Sequence, residues 1–304
     1  MKNLIASAAL LAVSAAASAG SNPFSEWNLI VRNNLDFSSS EVDGSTLIGG
    51  NLGGTSNYAV QGVTAVNGDG LAVGGFIQAG INVQINNGGN LRVTNQANIL
   101  GNVNLNGGGS IIEDPGVVSL ADSYVDIADF LGSQMAAFST NGSVDGAGNM
   151  SATPTVMDGQ NVAVYNIADT DLNGLGQLNL NFGSADTVII NVSAGLDGIV
   201  DLTAPPNLVG DFNQSNSSRI LWNFHDATEL VVNNNLNGAV FAPDADLQLL
   251  GGGINGTVVV DSLSLQQAEI RRFTYDGFLP PIPAAPAFGL FGAALLGGRR
   301  RRAA

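Results

Sequence analysis

Between residues 28 and 109 the chain alternates short runs of period two with corners rich in Gly and Asn. Ser45-Thr46-Leu47-Ile48 leads into Gly49-Gly50, and Leu71-Ala72-Val73 into Gly74-Gly75. Ile81-Asn82-Val83-Gln84-Ile85, Leu91-Arg92-Val93-Thr94 and Asn102-Val103-Asn104-Leu105 continue the series. In each run aliphatic side chains fall on one side and Asn, Gln, Arg or Thr on the other, the pattern of half-buried strands. The corners recur about every ten residues, and Gly and Asn tolerate the left-handed backbone that tight corners need. A second β-rich stretch, residues 162–270, contains a repeat. Leu236-Asn237-Gly238-Ala239-Val240-Phe241-Ala242 returns eighteen residues later as Ile254-Asn255-Gly256-Thr257-Val258-Val259-Val260. An aliphatic-Asn-Gly step followed by a β run is what one coil of a solenoid looks like, with neighbouring coils sharing one aliphatic core. The period drifts, 24 residues from Leu47 to Leu71 and 20 from Leu71 to Leu91. Such drift suits a parallel β-helix; a β-sandwich of short hairpins accounts for the same alternation and stays open on pattern alone.

One helix interrupts the β pattern, over residues 119–138. Ser119 stands at its start as a cap, with Asp122 three residues on to complete a capping box. Leu120, Tyr124, Ile127, Leu131 and Phe138 fall near one face at helical spacing. The pattern therefore predicts a helix lying along the side of the β body and covering an apolar face.

The two ends read as addresses. Lys2, an apolar run over residues 4–13 and Ala17-Ser18-Ala19 have the order of an export signal, predicting cleavage between Ala19 and Gly20. Residues 1–19 are then the signal, 20–277 the body and 278–304 the tail. The tail holds 21 uncharged residues, 278–298, followed by Arg299, Arg300, Arg301 and Arg302. Prolines crowd its first half, so its helix has room only over residues 287–298. That is short for a permanent membrane span and suits a transient stop at the inner membrane. It resembles the C-terminal sorting signals of the PEP-CTERM type in Gram-negative bacteria, which an exosortase-class membrane protease reads and removes. Ile282-Pro283-Ala284-Ala285-Pro286 stands where that signal has Val-Pro-Glu-Pro; Pro283 and Pro286 keep the pattern and the Glu is missing.

Composition narrows the function. Of 304 residues 40 are Gly and 34 are Asn, and only 12% are charged. Away from the two ends, five arginines oppose all 25 acidic residues, a body charge of −20. Such a body repels phosphate backbones, so nucleic acid is excluded as a partner. With no Cys there is no disulfide, thiolate metal site or thiol nucleophile. With no Lys in the body there is no Schiff-base chemistry, and a lone His225 builds no multi-histidine metal site.

Several segments together resemble the choice-of-anchor A domain, a bacterial surface-adhesin module. They are Ile220-Leu221-Trp222-Asn223-Phe224-His225-Asp226-Ala227, Leu236-Asn237-Gly238-Ala239-Val240-Phe241-Ala242-Pro243-Asp244-Ala245-Asp246 and Gly253-Ile254-Asn255-Gly256. Ile48-Gly49-Gly50-Asn51-Leu52 and Thr187-Val188-Ile189-Ile190-Asn191-Val192 add to them. The resemblance spans residues 28–270. It implies a right-handed parallel β-helix with a flanking helix, similar to the ice-binding-like fold, and brings no catalytic or ligand residues with it.

Candidate chemistry is sparse. Asp169-Thr170-Asp171-Leu172-Asn173-Gly174 has the D-x-D-x-N-G opening of a calcium loop, but the twelfth position, where a bidentate Glu belongs, is Leu180. Asp169, Asp171 and Asn173 are the candidate Ca²⁺ ligands. His225 has no nucleophile placed by spacing and reads as a packed aromatic beside Trp222 and Phe224. Asp43, Asp201, Asp244 and Asp246 could form an acid–base pair only if folding brought two of them together. Thr46, Thr55, Thr64 and Thr94 do not recur at a coil period, as a regular ice-binding array would.

The expectation is an exported, non-catalytic surface or matrix protein that uses a rigid polar β-helix face, with a polysaccharide or other surface ligand as partner. The alternatives are a secreted polysaccharide lyase or hydrolase and a carbohydrate-binding module on the same solenoid.

Overall fold

In a computed structural model, which describes residues 22–38 and 40–282, the strands run parallel in stacked coils. The chain forms a parallel β-helix, and the sandwich alternative falls. Among the described residues only two strand pairs are antiparallel, both hairpins near one end: Gly142–Val144 with Asn149–Ala152, and Thr155–Met157 with Gln160–Ala168. The export signal with its Ala19/Gly20 junction lies outside the described residues. So do Pro283, Pro286 and the four terminal arginines.

Three walls enclose the core. Along the first, inward side chains line up from coil to coil as Tyr165, Ile190, Trp222, Val240, Val258, Leu29, Thr46, Leu71, Leu91 and Ile111. The second wall contributes Val200, Leu230, Leu247, Leu263, Leu35, Leu52, Ile77 and Ile99. The third contributes Leu236, Ile254, Ile270 and Val42, then Tyr58, Ile85 and Leu105. A one-residue slip would turn any of these columns outward, so burial fixes the register.

The eighteen-residue repeat is one coil: Leu236 pairs with Ile254, Asn237 with Asn255 and Val240 with Val258. Its Gly is required because the corners stack directly. A Cβ on Gly256 would lie 2.3 Å from the carbonyl oxygen of Gly238. The Asn has a different use from the one expected. Among the described residues four non-glycine positions have positive φ, and only Asn87 of them is an asparagine. Asparagines mostly hydrogen-bond along the stack. Asn255 Nδ2 donates to Asn237 Oδ1 (2.7 Å) and Asn104 Nδ2 to Asn82 Oδ1 (2.8 Å).

Stack order differs from chain order. The first coil, beginning at Leu29–Val31, lies in the middle of the stack, and coils climb from it to Ile111–Glu113. The chain then returns to the other end and climbs again from Gln160–Ala168 to Val258–Gln266. There the later coils meet the first, Val258 opposite Leu29 and Leu263 opposite Leu35. Asn28, fully buried, fastens the join: its Nδ2 donates to the carbonyls of Gly256 (2.9 Å) and Arg271 (3.1 Å), and its Oδ1 accepts from Gly44 N–H (2.9 Å).

The return is made by α1, Val117–Ala136. Twenty residues make about 30 Å of helix. The helix touches the first-wall strands from Asp69–Val73 down to Thr187–Ser193, six strand spacings or about 29 Å. The expected span of 119–138 is thus displaced by two residues. Ser119 does not cap: the N-cap is Gly116, whose N–H is held by Asp114 Oδ1 (2.8 Å).

The buried stripe is also rotated. Val117, Ala121, Val125, Ala128, Leu131, Gly132 and Met135 face the sheet, while Leu120, Tyr124, Ile127 and Phe138 flank it half-buried. Small side chains let the helix axis come close to the sheet. The outward column beneath it runs Asn166, Asn191, Asn223, Phe241, Val259, Ile30, Leu47, Ala72 and Arg92. Covered on both sides, these strands read as continuous apolar runs.

Candidate functional site

The third wall, like the second with its exposed Asp201, Gln248 and Asp36, is not covered by the helix. Its outward column is polar, because period two sends every second side chain out: Asn235, Gly253, Glu269, Glu41, Asn57, Gln84 and Asn104 stand in file on consecutive coils. Six spacings make the file about 29 Å long. Shallow grooves flank it. One is lined by Glu41, Thr55, Asn57, Gln84, Gln267 and Glu269, and a second by Glu41, Asn57, Asn86, Asn87 and Asn106.

Hydrogen bonds stiffen this surface. Asn106 Nδ2 donates to Gln84 Oε1 (2.9 Å) and Asn86 Oδ1 (3.1 Å), and Gln84 Nε2 donates to Asn82 Oδ1 (3.2 Å). Lower on the wall Arg271 spans three coils, pairing with Glu269 (2.8 Å) and donating to Asn235 Oδ1 (3.2 Å) and Asn255 Oδ1 (3.4 Å). Partial burial raises the Glu41 carboxyl above the ordinary carboxylate range, and Glu269 and Asp43 add to the shift against the opposing pull of Arg271. Asp43 is raised by burial too, partly offset by the Arg272 N–H on its Oδ2 (3.1 Å). The upper half of the wall is made of neutral amides; its middle carries closely spaced carboxylates. Held by neighbours, Gln84, Asn104, Asn106 and Glu269 have little rotamer freedom left to lose on binding.

The other candidates are dispersed. Asp169, Asp171 and Asn173 do not form a loop: Asp169–Gly174 is a short helix, α2, with Leu172 buried beneath it. Side chains two apart on a helix do not face each other, so the alternating oxygens diverge instead of converging on a cation. Among the described residues no cluster of three or more metal-ligating His, Asp or Glu is present. His225 sits at the end of the first wall below α1, its ring a quarter exposed and its Nε2 3.9 Å from Asp226 Oδ2. Asp43 is at a corner beside the third wall, Asp201 and Asp246 are on the second wall, and Asp244 is at an exposed bend. Asp244 and Asp246 share the exposed side of one strand, and Asp43 lies apart from them beside the third wall.

The threonines share no column. Thr46 points into the core, Thr55 Oγ1 accepts from Asn82 N–H (3.1 Å) and Thr64 Oγ1 from Ser45 N–H (2.9 Å). Thr94 keeps its hydroxyl buried. The residues that do share a column, Glu269, Glu41, Asn57, Gln84 and Asn104, come from coils of unequal length, so no fixed spacing marks them in the sequence.

The segments that carried the family resemblance are structural. Trp222 pairs with Val240 and Leu236 with Ile254, all inside the walls, and Asn191 and Asn223 hold the helix. Among the described residues no helix is long and apolar enough to cross a membrane. No curated protein matches the chain. A family model described as "Putative Ice-binding-like adhesive domain" matches residues 20–272, nearly all of the β-helix together with its flanking helix. A stacked coil body with a returning helix and open polar walls is thus matched along its length, and the chain belongs to this family of ice-binding-like adhesive domains.

Proposed function

We propose that the protein is an exported, non-catalytic adhesin of the surface or extracellular matrix of a Gram-negative bacterium, of the choice-of-anchor A kind. The polar file on the third wall carries this reading. It offers amide and carboxylate groups at about 4.8 Å intervals on a stiff support, suited to many weak hydrogen bonds with a polysaccharide or another hydroxyl-rich surface. Display of many copies multiplies such contacts. In this reading residues 1–19 direct export, residues 278–304 stop at the inner membrane, and an exosortase-like protease removes the tail. No cofactor is needed.

Two measurements test it. Mass spectrometry of the mature protein should find Gly20 at the N-terminus and a C-terminus short of Arg299; an intact tail overturns the sorting step. A glycan array probed with the wild-type chain and with Asn57→Ala/Gln84→Ala/Asn104→Ala should show binding that the triple substitution removes. The rival reading, polysaccharide cleavage, rests on the neighbouring Glu41 and Glu269 of the groove. New reducing ends released by the wild type and not by Glu41→Gln would replace adhesion with catalysis.

A further inference from the structure

The stack ends abruptly at its upper coil. Ile77, Val83, Ile85 and Leu91 are each fully buried, because the coil above covers them. Their counterparts in the last coil are Ile99, Val103, Leu105 and Ile111. The first three are only partly buried and Ile111 is 41% exposed, with Leu100 beside them at 55%. Asn102–Leu105 and Ile111–Glu113 each pair on one side only, with Asn82–Ile85 and Asn90–Val93 below them. Among the described residues nothing pairs with their upper edges. The opposite end is finished differently, by the two antiparallel hairpins.

Exposed strand edges are usually guarded by charge. Here residues 94–112 contain no Asp, Glu, Lys or Arg, although the body carries −20. The two acids that follow are both engaged: Glu113 Oε1 accepts from Gln96 N–H (2.7 Å), and Asp114 pairs with Arg92 (3.2 Å). Two such acidic molecules repel over most orientations, and this neutral, apolar end is where they can approach closely. The last described residues run downward, with Phe278 N–H bonded to Thr187 Oγ1 (2.9 Å), eight strand spacings below Ile111–Glu113, or about 38 Å.

We propose that this open coil is a homotypic interface: two copies of the chain meet head to head across a two-fold axis, their Asn102–Leu105 and Ile111–Glu113 edges covering one another. A two-fold contact is self-complementary and closes at a dimer, while the hairpin-finished ends stay outside it. The surface is separate from the polar wall, so the proposal stands or falls independently of ligand binding.

The test is sedimentation equilibrium across the micromolar range on the chain as recovered from cells, with hydrogen exchange read on residues 99–113. The wild type should dimerise, and protection of these amides should rise with protein concentration. Added salt should strengthen the dimer by screening the acidic bodies. Leu100→Glu/Ile111→Glu places four like charges across the axis and should weaken it by at least about 100-fold. Leu100 is the more exposed of the two, so Leu100→Glu alone is the control in which the melting temperature of the monomer should hold. A monomer throughout overturns the proposal, whether the end stays unprotected or is protected at every concentration by the chain's own termini. A dimer indifferent to the two glutamates overturns it equally.

Discussion

Asn191 offers a sharp measure of what the asparagine ladders contribute. Its Nδ2 donates to the Met135 carbonyl (2.9 Å) and to Asn166 Oδ1 (2.8 Å), and its Oδ1 accepts from Asn223 Nδ2 (2.8 Å), all beneath the last turn of α1. The Met135 carbonyl, in the last turn, also accepts from the Phe138 N–H (3.2 Å), so this side chain adds a second bond to the helix end from outside. Asn191→Ala removes three hydrogen bonds and strands a donor on the fully buried Asn223. At about 1 kcal/mol for each of the two bonds left uncompensated and about 1 for the donor stranded on Asn223, with Asn166 free to turn to water, the cost should be about 3 kcal/mol.

Asn104→Ala breaks a ladder bond of the same length, but in solvent, and should cost under about 0.5 kcal/mol. Urea titrations followed by the fluorescence of Trp27 and Trp222 would read both, and a melting shift of about 6–12 °C should accompany the first change only. If the two substitutions shift the midpoint equally, burial is not what gives the ladder its value. Asn191→Asp should be worse still at neutral pH, because it sets a buried carboxylate against the Met135 carbonyl, and should recover as acid protonates it.

Three further outcomes follow from particular contacts. Asp69 is fully buried and gripped by Arg92 (2.5 Å), so Arg92→Met should destabilise by about 3–5 kcal/mol, with Asp69→Asn/Arg92→Met recovering most of the loss in the same titration. Glu41 has a carboxyl raised in the folded state, so the native fold is stabilised when that carboxyl is protonated, and this advantage disappears as pH rises through the raised value. Glu41→Gln should therefore raise the melting temperature near neutral pH, and the gain should shrink to nothing once pH falls below the ordinary value of 4.5. Gly256→Ala forces a methyl to 2.3 Å from a carbonyl oxygen and should cost at least about 2 kcal/mol, whereas Gly146→Ala, with nothing within 4 Å, should be silent by thermal melt.

Much of the fold was legible in the chain because a coil imposes its own spacing. The Leu236/Ile254 repeat is a physical coil, and Leu71 does lie under Leu91. Leu47 and Leu71 are not partners. Leu47 pairs with Ala72 and faces the helix, while Leu71 follows Thr46 in the inward column, so the apparent interval of 24 joined opposite sides of one wall.

The helix is legible in the pattern, but the large apolar side chains point to a different face from the one buried. Hydrophobicity favours large side chains such as Tyr124 and Ile127, whereas a helix laid flat on a sheet selects Ala121, Ala128 and Gly132 for their smallness. The interleaving of the two halves was invisible, since nothing near Leu29 announces a partner at Val258. The polar file was half visible: alternation placed Gln84 and Asn104 outward, but only the observed register shows that Glu41 and Glu269 join them.

The join at Asn28 has a consequence for how the protein comes into being. A chain delivered from its N-terminus presents residues 29–113 first, with the lower edge of Leu29–Val31 bare until Val258–Val260 emerges 229 residues later. Loop closure over that distance is slow, and the early half cannot complete itself alone. Such a molecule stays threadable until its last coils are made, then locks from the middle outward. Any product cut short before residue 258 would be left with an unsealed seam, for proteolysis or for a neighbour's strand to claim.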